Sequence, residues 1–266
     1  MEAPLRLRPE FAHKRLFVLD MDGTIYLGDD LFPWTPPFLE AVSRAGANYL
    51  FLTNNSSRTA SEYVAKLQRL GIPAKARNVL TSGDATVELL LAEGRWRRLF
   101  VLAPPAVTRA FAEAGFVLDE EHPEAVVMAY DTTLTYQRLV TFCHHVRAGL
   151  PYIATHPDFN CPTPAGPIPD IGAFMALVEA STGRGPDQVV GKPQPDILRA
   201  AMNRFGTTPQ ETLMIGDRLY TDIACGLGAG VDACLVLSGE STAEMAVQSP
   251  HQPSLIVPDL AALLCP

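Results

Sequence analysis

Two carboxylates one residue apart, Asp20 and Asp22, close the run RLFVLDMD, and the turn-forming pair Gly23-Thr24 follows at once. Acids this close repel each other unless something positive sits between or beside them. The pair therefore either gathers a cation or is a solvated turn built from ordinary turn formers. Three later stretches have the same make-up, an apolar run that stops at a small polar group. Thr53-Asn54-Asn55, at the end of NYLFLT, offers a hydroxyl, two amides and backbone N–H groups. Such a cluster can cradle an oxyanion or simply cap the next helix with Asx turns. Lys192 follows Val189-Val190 inside GKPQP and is one of four lysines beside seventeen arginines. It is either a specific cation or a surface residue of a proline-rich turn. Asp217 and Asp222, in IGDRLYTD, set two more carboxylates five residues apart around a helix start, where acids also offset the helix dipole.

Positioning these residues together requires that the apolar runs be parallel strands, because ligands of open α/β sheets gather beyond the strands' carboxyl ends. The surrounding pattern predicts this. Strand 15–20, a helix over 36–46, strand 48–53 and an amphipathic helix over 59–71 make a β-α-β-α series. Val189-Val190, a helix to Phe205, strand 212–215, a helix to about Gly228, strand 232–237 and a short strand at 255–257 resume the rhythm, before a closing helix. Between them the chain carries enough alternating elements for a small domain of its own, including His156–Gly172, a turn-rich stretch with five prolines. The expected organisation is a discontinuous core domain, residues 1–81 and 183–266, interrupted by an inserted domain, residues 82–182. Asp20, Asp22, Thr53, Lys192, Asp217 and Asp222 then share one kind of place, the strand tips. Oxygen-only ligands among that many carboxylates point to Mg²⁺, and a hard cation with a lysine and backbone donors suits a phosphoryl group.

Composition narrows the classes of function. The 266 residues are 47% hydrophobic and 19% charged, with a net charge of −8, which is globular and lacks the basic face of a nucleic-acid binder. The five cysteines are scattered without a CxxC pair, the pattern of free thiols in a reducing compartment. The opening MEAPLRLRPEFAHK has no apolar signal core, and no run reaches the length of a membrane span. The expectation is a cytoplasmic protein without membrane or nucleic-acid partners.

DMDGT, LFLTNNS, GKPQP and IGDRLYTD, in that order, resemble the four motifs of the haloacid dehalogenase (HAD) superfamily of phosphatases. DMDGTIYLGDDLFP, TNNSSR, TSGDAT, THPDFNCP and GDRLYTDIACGLGAGVDACLVLSGES are similar to its NagD-like, p-nitrophenyl-phosphatase-like branch with a type IIA cap. The resemblance implies an α/β fold with a Rossmann-like parallel-sheet core and the inserted segment as an α/β cap. It implies that Asp20 is the nucleophile and becomes an aspartyl phosphate, that Asp22 is the general acid/base with its backbone carbonyl toward the metal, and that Asp20 and Asp217 bind Mg²⁺. Asp222 would stand at the metal directly or through water. Thr53 and Lys192 match the phosphate-holding pair, with Asn54 and the N–H of Gly23 as helpers and Asn55 in the same cradle. In THPD, His156 or Asp158 either meets the substrate or belongs to a proline-ordered turn. The expected partner is a small phosphorylated metabolite such as a nucleotide, phosphoglycolate or sugar phosphate, with p-nitrophenyl phosphate as surrogate and a homodimer through the cap. Competing readings are a phosphotransferase or mutase on the same scaffold and a phosphometabolite-binding protein without turnover. His144-His145 lacks an acidic partner at ligand spacing, and GLGAG (226–230) trails a helix, so it reads as a helix end and turn.

Overall fold

The computed structural model describes residues 4–163 and 165–266; residues 1–3 of the N-terminal lead-in and Pro164 of the proline-rich stretch lie outside them. Strands are labelled here in chain order. Leu16–Leu19 is β1, Asn48–Thr53 is β2 and Val79–Thr81 is β3. Arg98–Leu102 is β4, Val117–Leu118 is β5, Ala125–Met128 is β6, Tyr152–Ala154 is β7 and Gln188–Val189 is β8. Thr212–Gly216 is β9, Asp232–Val236 is β10 and Leu255–Val257 is β11. Among the described residues these form two sheets, a six-stranded one in the order β11-β10-β9-β1-β2-β3 and a five-stranded one in the order β8-β7-β6-β4-β5.

The chain divides into two compact units. The first comprises Met1–Leu52, Val64–Leu80 and Lys192–Pro266, and the second Thr53–Tyr63 and Thr81–Gly191. Compared with the expected boundaries, residues 53–63, 81 and 183–191 group with the second unit. Among the described residues no helix is long and apolar enough to cross a membrane, and all five cysteines are free.

In the first unit β1 is central and fully buried from Leu16 to Leu19, which is why it reads as an unbroken apolar run. Each such buried side chain contributes about 1.5–3 kcal/mol. Register sets the site: Leu19 pairs in parallel with Ile215 of β9 and with Phe51 of β2. Asp20, Gly216 and Leu52 therefore leave the sheet side by side at its carboxyl edge. Helices Thr35–Arg44 and Asp196–Phe205 bury faces spaced three and four apart, Phe38, Leu39 and Val42 in one and Ile197, Leu198, Ala201 and Met202 in the other. Phe38 meets Phe17 edge to face at 5.7 Å.

The second unit has its own core of Phe100, Val126, Met128, Phe142, Tyr152, Ile171 and Val178. The four strand pairs of its five-stranded sheet are parallel, and a separate short pair, Asn160–Cys161 with Ile168–Pro169, is antiparallel. One expectation fails here. The strand before Lys192 pairs with β7, not with the first sheet, so Lys192 follows a turn and not a strand of the sheet that carries Asp20. Two apolar residues cannot tell which sheet will take them. The closing helix is a 3₁₀ turn, Leu260–Leu263, and the expected helix after Asp217 begins with one π turn, Leu219–Ile223, before Ala224–Gly228.

Candidate active site

The first unit gathers Asp20, Asp217 and Asp222 so that one carboxylate oxygen from each lies within 4.8 Å of the others. Asp20 is fixed by its own amide, which donates to Ile215 O at 2.8 Å. Lys192 is 2% exposed and spends its three N–H donors on Asp20 Oδ1 (2.5 Å), Asp222 Oδ1 (2.7 Å) and Leu52 O (3.1 Å). Asp222 comes from the π turn, a feature common at functional sites, and its second oxygen accepts from the Arg218 amide at 3.1 Å. Gly216 is required beneath it, since a Cβ there would collide with the Asp222 carboxylate.

Asp217 stands differently. Its Oδ2 accepts from the Glu240 amide at 2.7 Å, while its Oδ1 is buried without a hydrogen-bond partner among the described residues. Burial, with the charges of Asp20 and Asp222, pushes the Asp217 carboxyl above its usual range. Burial also raises Asp222, against the pull of Lys192. For Lys192 burial favours the neutral form, but Asp20 and Asp222 outweigh it and hold the ammonium charged. Two of the three carboxylates thus bond one buried ammonium, Arg218 adds a second positive charge nearby, and Asp217 Oδ1 has no hydrogen-bond partner among the described residues. An all-oxygen set with a deficit of positive charge fits a hard divalent cation.

Asp22 lies outside that cluster of three. Burial raises its carboxyl to about 6, Lys66 opposing and Asp20 assisting, while hydrogen bonds from Gly28 and Tyr26 lower it. Its loop closes by the Gly23 amide donating to Tyr26 O at 2.8 Å, with Gly23 at φ +86°, a conformation that favours glycine. Lys66 is buried with its ammonium 3.8 Å from the centre of the Tyr26 ring. Lys66 and Tyr26 were missed from sequence. The scarcity of lysine that singled out Lys192 would have singled out Lys66 as well.

The remaining expected residues lie in the second unit. Thr53 Oγ1 accepts from the Asn55 amide at 3.1 Å, and Asn55 Oδ1 accepts from the amide and hydroxyl of Ser57 at 3.0 and 2.7 Å. These are local turns. The cap of the next helix is a reciprocal pair instead, Thr59 N to Glu62 Oε2 at 2.8 Å and Glu62 N to Thr59 Oγ1 at 3.4 Å. Asn54 donates to both oxygens of Asp158 at 3.1 and 3.2 Å. His156 is fully buried, with Nδ1 3.7 Å from Asp158 and Nε2 3.5 Å from Asp170. Asp170 also caps helix Ile171–Thr182 through the Ile171 amide. His156 thus lies between two carboxylates, Asp158 and Asp170, and Asp170 is a neighbour that sequence reasoning does not find.

A family model of haloacid dehalogenase-like hydrolases matches residues 17–117, and a second, HAD-hydrolase-like, matches residues 189–263. The crystal structure of 4-nitrophenylphosphatase from Thermotoga maritima is 43% identical, covers 96% of this chain and 98% of its own, and superposes with a TM-score of 0.93. The chain belongs to the haloacid dehalogenase family of hydrolases. It is also 34% identical to an acid sugar phosphatase of Staphylococcus aureus, over 86% of this chain and 89% of the relative. Glycerol phosphate phosphatase of Mycobacterium tuberculosis in complex with magnesium is 30% identical, with a TM-score of 0.88 over 95% of this chain and 78% of that one. With these relatives the HAD chain described here is a phosphatase of the NagD-like, p-nitrophenyl-phosphatase-like branch.

Proposed function

We propose that the chain is a Mg²⁺-dependent phosphatase that hydrolyses small phosphomonoesters through an aspartyl phosphate on Asp20. The observation that carries the reading is the close trio of Asp20, Asp217 and Asp222, two of them bonded to one buried ammonium, with Asp217 Oδ1 lacking a hydrogen-bond partner among the described residues. Asp20 and Asp217 would hold the ion with the backbone carbonyl of Asp22, and Asp222 serves chiefly to hold Lys192. When bound, the cation supplies positive charge that offsets repulsion between a carboxylate nucleophile and a phosphoryl dianion.

The protein's own groups do the rest. An Asp20 oxygen attacks phosphorus, the ester P–O bond breaks, and the leaving alkoxide takes a proton from Asp22. Water then attacks the same phosphorus while Asp22 accepts its proton; the P–O bond to Asp20 breaks, freeing phosphate and restoring the carboxylate. An Asp22 carboxyl raised to about 6 suits both halves, since it is poised near the working pH. Phosphoryl transfer is loose, so Lys192 and the Gly23 amide act by orienting and neutralising the group. Thr53, next in the chain after Leu52, is the proposed hydroxyl partner. The substrates proposed are phosphorylated metabolites with an alcohol leaving group, sugar and glycerol phosphates first, in a cytoplasmic setting. The test is phosphate release from p-nitrophenyl phosphate and a panel of such esters. Activity is expected with added Mg²⁺, and is lost with chelator or with Asp20→Asn. Turnover by Asp20→Asn at the wild-type rate overturns the reading.

A further inference from the structure

The loop Ser238–Ser241, which follows β10, is tied at both ends to the tips that carry the carboxylates. Ser238 donates its hydroxyl to Gly23 O at 2.7 Å, beside the first carboxylate pair. At the other end the Ser241 amide donates to Asp217 O at 3.1 Å, and the buried Ser241 hydroxyl accepts from the Leu219 amide at 3.3 Å. Between these ties the Glu240 amide holds Asp217 Oδ2 at 2.7 Å. The space around that oxygen is closed by two glycines. A Cβ on Gly23 would stand 2.5 Å from Asp217 Oδ2, and a Cβ on Gly239 would overlap the same carboxylate. One oxygen of Asp217 is thereby held and the other, Oδ1, has no hydrogen-bond partner among the described residues.

The Glu240 side chain is held in turn. Its Oε2 pairs with Arg218 Nε at 2.9 Å, and its Oε1 accepts from the Tyr220 hydroxyl at 2.8 Å. Arg218 and Tyr220 lie on the same segment as Asp217 and Asp222, so the loop is fastened to the turn whose carboxylates it serves. The loop itself, SGES, lies outside the four motifs, at the end of the longer stretch that resembles the NagD-like branch, whereas Gly23, Asp217, Arg218 and Tyr220 lie within two of the motifs.

We infer that Glu240, anchored by Arg218 and Tyr220, is a positioning residue that aims Asp217 Oδ1 at the divalent cation. The inference rests on the proposed metal-dependent function. A carboxylate free to rotate would swing an oxygen toward Lys192 or solvent; one pinned by an amide and walled by two glycines is already oriented, and partners that orient a ligand typically govern affinity about 10–100-fold.

The experiment is calorimetric titration of the full chain, stripped with chelator, with Mg²⁺ alone, and with Mn²⁺ followed by electron paramagnetic resonance. Glu240→Ala is expected to raise the cation Kd about tenfold or more, and Glu240→Gln, which keeps one acceptor, to fall between it and wild type. Tyr220→Phe changes no charge and removes one hydroxyl from a half-exposed ring, so a smaller rise in Kd there reports positioning and not lost negative charge. Gly239→Ala is expected to lose the most, and its Tm in chelator shows whether it has folded. A wild-type chain that binds neither ion overturns the proposed function itself. A wild-type chain that binds, with Glu240→Ala and Tyr220→Phe binding equally well, overturns the positioning role alone.

Discussion

Replacing Lys192 by methionine isolates what the buried ammonium does for the fold. The side chain is 3% exposed and reaches Asp20, Asp222 and Leu52 O. Methionine keeps an unbranched stem, one atom shorter, and removes the charge and donors. Asp222, with no exposed surface, is left with the Arg218 amide as its hydrogen-bond donor. Removing one partner of a buried pair costs about 3–5 kcal/mol. At about 2–4 °C per kcal/mol for a chain of this size, that is a fall in Tm of about 6–20 °C. The sign of the pH dependence follows. Burial already raises the Asp222 carboxyl while Lys192 pulls it down, so the substitution raises its folded pKa further. A carboxyl whose folded pKa lies above the unfolded value loses stability as pH rises through the folded value, by at most about 1.4 kcal/mol per pH unit.

The deficit should therefore be larger at pH 8 than at pH 5.5. Adding Asp222→Asn should recover most of it, because uncharged groups at both positions leave no buried charge unpaired. Guanidinium unfolding in chelator, followed by fluorescence, gives the measurement. Of the two tryptophans, Trp34 lies in the first unit and Trp96 in the second, so a Trp96→Phe background reports the unit that holds Lys192. A single variant as stable as wild type at pH 8, or a double variant no better than the single one, refutes the argument.

Asp22→Asn should lower kcat for a sugar or glycerol phosphate about 10²–10⁴-fold, and should remove a limb of the pH profile. Because Asp22 donates in its protonated form and is raised to about 6 by burial, kcat/KM for such esters should fall as pH rises above that value. With p-nitrophenyl phosphate, whose phenolate leaves without a proton, that limb should flatten; an identical limb for both substrates refutes the assignment. His156→Ala should destabilise the second unit by about 2–5 kcal/mol, as other buried side chains of that size do, read by Trp96 in a Trp34→Phe background. Unchanged unfolding with a raised KM would make His156 a substrate contact instead.

Much of the first unit was legible because its strands are buried on both faces. LFVL, NYLFLT and TLMIG are unbroken apolar runs that stop at polar residues, and both strand and site are written in that contrast. Val189-Val190 reads in sequence as a strand of the first sheet because two apolar residues carry no period; Val189 instead belongs to β8 of the second sheet. Asp222 was found by motif, but the π turn that presents it was not, since hydrogen bonds five apart leave no mark in residue type. His156 was read evenly between contact and turn. In the structure it is buried beside Asp158 and Asp170, and the approach of Asp170, fourteen residues on, is invisible in the sequence. The positioning role proposed for Glu240 needs both its amide on Asp217 and its side chain on Arg218 and Tyr220, partners that meet only in the fold.

The ammonium's three bonds also bear on the order of events at Asp20. To meet a phosphoryl group Lys192 must exchange one of its partners. The bond to Leu52 O ties it to the strand edge, and Asp222 is fully buried and has nowhere else to put its charge. Asp20 is the partner that can be released, at 13% side-chain exposure, and it is the carboxylate that the proposed reaction neutralises. In the proposed reaction, once an Asp20 oxygen is bonded to phosphorus its carboxylate charge is gone, an equivalent electron pair having left with the ester oxygen that takes the Asp22 proton, while the phosphoryl oxygens keep their own charge. The ammonium would then turn from Asp20 to those oxygens without leaving Asp222. On that reading Asp222 is the fixed counter-ion and Asp20 the exchangeable one.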